Sequence, residues 1–362
     1  MAYSTRKVLG VLSGILITTA VGLCLGERWQ LARTEISIDF KDEGYYKTIP
    51  HIALQGNLFF ISDNFNHRVL EYRLDGSKLE FLRVIGRPGQ GPGDLEHPHE
   101  ISVSKETLAV HDGHGISFFG FDGAFRSKFQ LLSKSVAMLF TGDEVITATN
   151  DPGKDDLIQV YDTSGGLVRS FSKKLSLYPI RYDIHRGLTP DSLESIMFEG
   201  ILRSQGGVLY YLNKRFGDVL QFDRGRAQIL TRNVVPLLSK AEKAKADENR
   251  KMFLEAGFDL IKTNGDIPHN CVFEDAQVRN ERLFLLMGNF DLLENRPRPY
   301  TEIIEIDLKS WAVVNSYVAP VVAKWESASI FLLVGDDRIP AFIIPIWAFD
   351  EEPKIYLFTP MR

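Results

Sequence analysis

The sequence predicts an all-β fold, a six-bladed β-propeller, and three observations lead there. The chain repeats itself: Leu58 to Gly76 and Leu108 to Gly123 each run through an apolar stretch, an Asp, a turn carrying His, a second apolar stretch and an Asp-Gly ending. Self-similarity at such a period marks a propeller or a solenoid. Units further along close in the same way, with Leu74-Asp75, Phe121-Asp122, Tyr161-Asp162, Phe222-Asp223 and Ile306-Asp307. Gly76, Gly123, Gly165 and Gly225 follow closely. The Asp carboxylate suits the first position of a tight turn, and Gly supplies a positive φ. Finally, the apolar stretches are short, rich in β-branched and aromatic residues, and bounded by turn signals, which is the pattern of hairpins.

The elements follow in order. Arg6-Lys7 precede Val8 to Gly26, a stretch without charge, and Glu27-Arg28-Trp29 end it. A charge at the centre of a membrane helix costs roughly 2.5–3.5 kcal/mol on insertion scales, so this gap predicts a membrane segment. Positive charge stays on the cytoplasmic side, which puts everything after Trp29 outside the cytoplasm. An uncleaved transmembrane helix, a cleaved signal peptide and a lipoprotein signal at Cys24 are the readings of this segment. Length favours the anchor, and Leu23 before Cys24 disfavours the lipoprotein. The domain reading is therefore a basic tip and anchor or signal over residues 1–30, then one propeller over residues 34–362. The expected address is a bacterial cell envelope, anchored in the inner membrane through Val8 to Gly26 with the propeller in the periplasm or otherwise outside the cytoplasm.

Blade one takes His51 to Leu54, Leu58 to Ile61, Val69 to Tyr72 and Phe81 to Ile85. Blade two runs from His99 to Phe129, and blade three from Val136 to Phe171. Blade four includes Val208 to Leu212, Val219 to Phe222 and Gln228 to Leu230. Blade five includes Leu283 to Met287, Ile303 to Ile306 and Val313 to Tyr317. Blade six retains only Ile330 to Val334, Ala341 to Ile344 and Ile355 to Phe358. The alternating strand Glu35 to Phe40 is expected to supply its missing partner beside Ile355 to Phe358, because a closed ring removes exposed sheet edges. Between blades four and five, Leu237 to Phe258 is rich in helix formers after Pro236 and predicts a helical insertion over about 236–265. Its charge points to a solvated helix bracing a loop, with a lid or partner face as the alternative.

Two stretches resemble NHL-repeat propellers: Asp63-Asn-Phe-Asn-His-Arg-Val69 and Val84-Ile-Gly-Arg-Pro-Gly-Gln-Gly-Pro-Gly-Asp-Leu-Glu-His-Pro-His99. The chain is similar to bacterial six-bladed propellers of that kind with an export signal. The glycines of the second stretch lack the Gly-Lys-Ser/Thr of a phosphate loop, so they read as the link between blades one and two.

A formal net charge of −5, with no basic block after Arg6-Lys7, argues against nucleic acid as a partner. Cys271 is the only cysteine beyond the apolar segment, so no disulfide framework is expected. Chemistry is sought at the inner-strand entrances, where blades converge. Pro50-His51, Pro98-His99 and Pro268-His269 fall there, with Glu100, Asn270 and Glu326 as neighbours. The expected function is a non-catalytic envelope propeller binding a protein, peptide or glycan through His51, His99, Glu100, His269, Asn270 and Glu326, with no cofactor. The alternative is a metal-dependent propeller enzyme, lyase-like or lactonase-like, holding zinc or calcium on His51, His99 and His269 in the central channel. Some NHL-fold lyases are similar in placing zinc on propeller histidines. No nucleophile elbow and no paired carboxylates support catalysis.

Overall fold

The structure is a computed structural model. It describes residues 27–39, 49–113, 115–133, 135–151, 154–174, 198–223, 229–253, 271–288, 290–291, 296–298, 300–320, 330–335, 339–346 and 353–361. The apolar stretch Val8 to Gly26 lies outside these residues, and among them no helix is long and apolar enough to cross a membrane.

The fold is all-β and propeller-like, built from short antiparallel meanders. The chain starts with β1 (Glu27–Glu35) and β2 (Ser37–Asp39). The first meander is β3 (Ile52–Gln55), β4 (Leu58–Asp63), β5 (Arg68–Asp75) and β6 (Lys78–Ile85), with β2 lying parallel to β6. The second is β7 (Glu100–Ser104), β8 (Thr107–Asp112), β9 (Gly115–Gly120) and β10 (Phe125–Gln130). The third is β11 (Ser135–Phe140), β12 (Glu144–Thr149), β13 (Asp156–Asp162) and β14 (Leu167–Lys173). The fourth is β15 (Gly200–Gln205), β16 (Val208–Asn213), β17 (Asp218–Asp223) and β18 (Ile229–Asn233). A 3-10 turn at Val235–Leu237 and the helix α1 (Lys240–Phe253) follow.

The remaining strands are β19 (Phe273–Arg279), β20 (Arg282–Met287), the short ribbon of β21 (Phe290–Asp291) and β22 (Arg296–Pro297), β23 (Tyr300–Asp307), β24 (Ala312–Pro320), β25 (Leu332–Gly335), β26 (Pro340–Ile346) and β27 (Lys354–Pro360). Apart from the ribbon they form an eight-stranded sheet in the order β19-β20-β23-β24-β1-β27-β26-β25.

The turn chemistry read from the repeats is present. Asp162 Oδ1 accepts the N–H groups of Ser164 (2.8 Å) and Gly166 (2.9 Å), and Gly165 sits at φ 91°. Asp307 Oδ1 accepts those of Lys309 (2.9 Å) and Ser310 (2.7 Å). Each carboxylate satisfies backbone donors that the reversing chain would otherwise leave open. In the first motif Asp63, at the end of β4, accepts from Asn66 Nδ2 (2.7 Å) and Arg68 Nε (3.2 Å). The Gly-rich link folds on Asp94, which accepts from Arg87 Nε (2.7 Å) and from the N–H of Gly91 (2.9 Å), so its amides serve the loop itself.

Apolar side chains meet between meanders. One cluster joins Ile61, Tyr72 and Phe81 to Ile343 and Ile355; the next joins Phe60 and Val69 to Ile101 and Val110. Others join Phe118 to Met138, Ile158 to Leu209, Leu212 to Leu285, and Phe284 to Phe342. Sheet packing face to face in this way is what arranges the meanders around a common axis.

Two expectations change. The closing strand is not Glu35 to Phe40 but β1, which lies earlier. Residues Glu27 to Gln30 run parallel to β24 (Glu27 opposite Asn315, Gln30 opposite Val318). Residues Leu31 to Glu35 then run antiparallel to β27, with Leu31 opposite Pro360 and Glu35 opposite Tyr356. After a last bond from the Ile36 N–H to the Ile355 carbonyl (2.9 Å), the chain leaves this edge and Ser37–Asp39 pairs with Lys78–Glu80. The alternation in 35–40 marked a real strand but could not say which edge it joins. The charges of Glu27 and Arg28 disguised β1 as the end of the anchor, although both simply sit on the exposed part of the strand while Leu31 is buried.

The helix α1 is not merely solvated. Ser239 Oγ accepts the Ala241 N–H (3.2 Å) and pairs with Glu242, a capping-box arrangement. Ala241, Glu242, Lys245, Ala246 and Asn249 form one buried stripe at helical spacing. Glu242 pairs with Arg298, and Asn249 Nδ2 donates to the Arg215 carbonyl (2.7 Å). Charge on that stripe is compensated by partners distant in sequence, which composition could not show.

Deleting residues 27–35 is expected to abolish cooperative unfolding in urea, because it bares the facing edges of β24 and β27. Leu31→Ala alone is expected to lower the unfolding free energy by roughly 2–5 kcal/mol, the usual cost of truncating a buried leucine. A loss under about 1 kcal/mol would contradict the role given to β1.

Candidate functional site

The inner strands β3, β7, β11, β15 and β19 are neighbours in that order, and β25 lies beside β3. Their entrances surround a cavity of about 380 Å³. His51 stands before β3, His99 and Glu100 at β7, Ser135 at β11, Glu199 and Gly200 at β15, and Glu274 and Asp275 at β19. Strands that each begin at the axis bring distant sequence positions together there.

Local bonding explains the placement. Ser62 Oγ accepts the His51 N–H (3.0 Å) and lies 3.1 and 3.2 Å from the His51 and His99 carbonyls, tying two strand entrances together. The His99 N–H donates to the His111 carbonyl (2.9 Å), and Asn64 Nδ2 lies 3.2 Å from His99 Nδ1. Pro50 and Pro98 precede the strands, where a missing donor does no harm. At β15 the backbone must be glycine: a Cβ on Gly200 would lie 2.4 Å from the Tyr211 ring, whose hydroxyl donates to the Phe198 carbonyl (2.8 Å).

Opposite the histidines lies a charged wall. Arg203 spends its guanidinium on Asp275 Oδ1 (2.8 Å) and on the carbonyls of Ala276 (2.7 Å) and Leu202 (2.8 Å). Asp275 Oδ2 accepts the Phe331 N–H (2.9 Å), which ties β19 to the segment before β25. Lys214 Nζ lies 3.1 Å from Glu199 and 3.8 Å from Glu274, and Arg215 lies 3.0 Å from Glu199. Among the described residues, both cations lining the cavity are thus engaged by carboxylates.

Burial governs the protonation of the rest. It pushes the His51 imidazole down to about 3, with Arg203 adding to the effect. His111 falls to about 4 through burial and His99, against the pull of Asp112. His99 is lowered by burial and His97. Burial pushes Glu100 up to about 8, with Arg203 opposing. Asp275 and Glu274 also rise by burial, against Arg203 and Lys214 respectively. Glu199 is the exception: burial opposes its charge, but Lys214 and Arg215 outweigh it and hold it low. Behind the wall the Cys271 thiol is pushed up to about 12 by burial and stays protonated.

Three of the residues proposed from sequence therefore meet at the cavity: His51, His99 and Glu100. His269, Asn270 and Glu326 lie outside the described residues. Among the described residues no group of three His, Cys, Asp or Glu is arranged to hold a metal ion. Sequence reading missed His111, Glu199, Arg203, Lys214, Glu274 and Asp275. The strand β15 begins without a Pro-His pair, so the signal used for the other entrances is missing there, and before β19 (Phe273–Arg279) the signal pointed to Pro268-His269 rather than to Glu274 and Asp275.

The fold is one already seen in solved structures. A protein of Bacteroides fragilis described as exported is similar at 12% identity, over 92% of this chain and 99% of its own, with a TM-score of 0.56. U3-55K matches at 10% identity over 91% and 98% (TM-score 0.53), and the RRP9 WD40 repeats at 10% over 91% and 97% (TM-score 0.51). At these identities the likeness is one of fold. No protein-family profile matches the chain, and no curated protein matches it in sequence.

The protonation pattern has a sign in stability. In the unfolded chain His51 and His111 regain the ordinary value of 6.5, so below it the unfolded state takes up more protons and stability falls with pH. Glu100 acts oppositely: between 4.5, its ordinary value, and about 8 only the fold holds its proton, so stability is lost as pH rises through that window. His99 adds to the histidine side, and Glu274 and Asp275, raised like Glu100, add to the carboxyl side. The histidines therefore draw stability down on the acid side and the carboxyls on the alkaline side, the two meeting near 6.5. The urea midpoint is expected to peak near that pH. Glu100→Gln should flatten the alkaline limb, and His51→Gln should soften the acid one.

Proposed function

We propose that this chain is a six-bladed, NHL-repeat-like propeller of a bacterial cell envelope that binds a ligand in its axial cavity without transforming it. The observation that carries the reading is a pair of atoms: His51 Nδ1 and Glu100 Oε2 are buried beside the cavity and have no hydrogen-bond partner among the described residues. An unmatched buried polar atom costs about 1–3 kcal/mol, and a ligand or water that satisfies it recovers that loss. A cavity that keeps unmatched atoms within a rigid ring is prepared for a polar guest.

Several features support the finer parts of the reading. The eight-stranded sheet divides naturally at β1, which changes partner between Gln30 and Leu31. Counting β24 as the end of one blade and β1 as the outer strand of the next gives six blades. The Asp63, Asn66 and Arg68 contacts give the NHL-like motif a structural purpose, since they lock the turn between β4 and β5. The address rests on Arg6-Lys7 and the uncharged stretch Val8 to Gly26.

Elemental analysis of the full chain beside His99→Ala is the direct test. Both proteins are expected to carry less than a tenth of an equivalent of zinc or calcium. Near-stoichiometric zinc that disappears in His99→Ala would replace this reading with the metal-dependent enzyme on His51, His99 and His269. A reporter active only in the cytoplasm, fused to the C-terminus, should stay silent.

A further inference from the structure

The axial cavity does not end at its wall. His99, His111 and Ser135 also line a second hollow of about 680 Å³, which continues outward over the second and third meanders. Its other walls include Gln130, Leu131, Leu132, Ser133 and Asn150. Asn150 is 7% exposed, and its Oδ1 is buried without a hydrogen-bond partner among the described residues. Leu132, in the same groove, is 60% exposed. Each hollow alone lies within the ~300–1,000 Å³ of small-molecule pockets, so the two joined suit a longer guest.

The chemistry narrows that guest. Four carboxyl groups line the axial cavity (Glu100, Glu199, Glu274 and Asp275) against two cations, Arg203 and Lys214. Those cations are committed to Asp275, Glu199 and Glu274, so no cation is left for an anionic ligand among the described residues. Glu100 has no ion-pair partner within 4 Å among them, so it is the carboxyl of the cavity left uncommitted, able to ionise against an incoming cation. The groove holds both an unmatched acceptor and an exposed leucine, which matches a chain that alternates backbone N–H groups with side chains. Among the described residues neither hollow shows a Phe, Tyr or Trp ring on which a sugar could stack.

We propose that cavity and groove form one site for an extended peptide, which sets a lysine or arginine side chain against Glu100, donates a backbone N–H to Asn150 and rests an apolar side chain on Leu132. This rests on the axial binding reading above and names its ligand. The link to Glu100 has a pH signature. Arg203, Lys214, Asp275, Glu274, Glu199 and the three histidines face the same space, and His51 and His111 stay neutral above pH 6. Seating a cation makes Glu100 give up its proton, so affinity should climb from pH 6 to 8, by at most tenfold per pH unit for one proton released.

The test is calorimetric titration of the full chain in detergent with hexapeptides of alanine and leucine carrying one lysine, one glutamine or one glutamate, and with maltohexaose. The lysine peptide is expected to bind at least tenfold tighter than the other two at pH 7.5. Glu100→Gln should erase that preference and its pH dependence. Asn150→Ala and Leu132→Ser should weaken the lysine and glutamine peptides alike, by several-fold. Equal affinity for the three peptides, preference for the glutamate peptide, or no peptide binding would overturn the inference. Should maltohexaose bind instead, and lose affinity in His51→Ala and Glu100→Gln, the peptide falls while the axial site stands. If no probe's binding responds to His51 or Glu100, both fall.

Discussion

The double pairing of β1 is the interaction on which the rest of the structure depends. One nine-residue strand bonds to β24 with its first half and to β27 with its second, so the first described strand joins the last meanders of the chain. A ring of sheets that failed to close would keep two edges with unsatisfied backbone groups, each able to pair with another chain. Closure also sets the spacing of the inner strands. The cavity exists because their entrances are held apart by packed sheets, and Leu31 and Trp29 contribute to the packing at the closure itself.

Closure of this kind places stability and binding in different layers. The apolar clusters lie between sheets and reach the cavity through a few members, Val136, Ile201 and Ile330. At the axis the ring is tied by polar contacts: Ser62 between two entrances, and Arg203 with Asp275 between two others. Such contacts add little net stability when both partners are buried, because desolvation offsets attraction. They do fix geometry, which matters more for recognition than for folding. Glu100 Oε2 and His51 Nδ1 lack even that compensation, and remain tolerable because the large sheet interfaces supply the stability.

The helix α1 extends the same theme outward. Its buried stripe mixes Ala241 and Ala246 with Glu242, Lys245 and Asn249, and its polar members answer groups on other segments. Burial lowers the Lys245 ammonium, with Arg298 adding to the effect. Near it Glu274 reaches the cavity wall, so helix and axial site share one connected set of charges.

How much of this was legible in the chain follows from which forces are local. Turn chemistry is local: Asp162 with Gly165, and Asp307 with Ser310, act over a few residues, so the punctuation of the sheets and the placing of His51, His99 and Glu100 at strand entrances could be read directly. Strand existence is nearly as local, since alternation reports which face is buried. Partnership is not. Whether Glu27–Glu35 or Glu35–Phe40 closes the ring depends on hydrogen bonds to residues some 300 positions away. Those bonds are made by backbone groups that every residue carries, so no side chain announces them. The charged wall of Arg203, Lys214, Glu199, Glu274 and Asp275 was invisible for a related reason. Each residue is ordinary in its own segment, and only the convergence of strands from separate meanders makes them neighbours. The sequence by itself determined a repeating all-β chain with its turns in place; the tertiary structure alone decided which edges meet and which charges face one another, because both are properties of distance in space rather than along the chain.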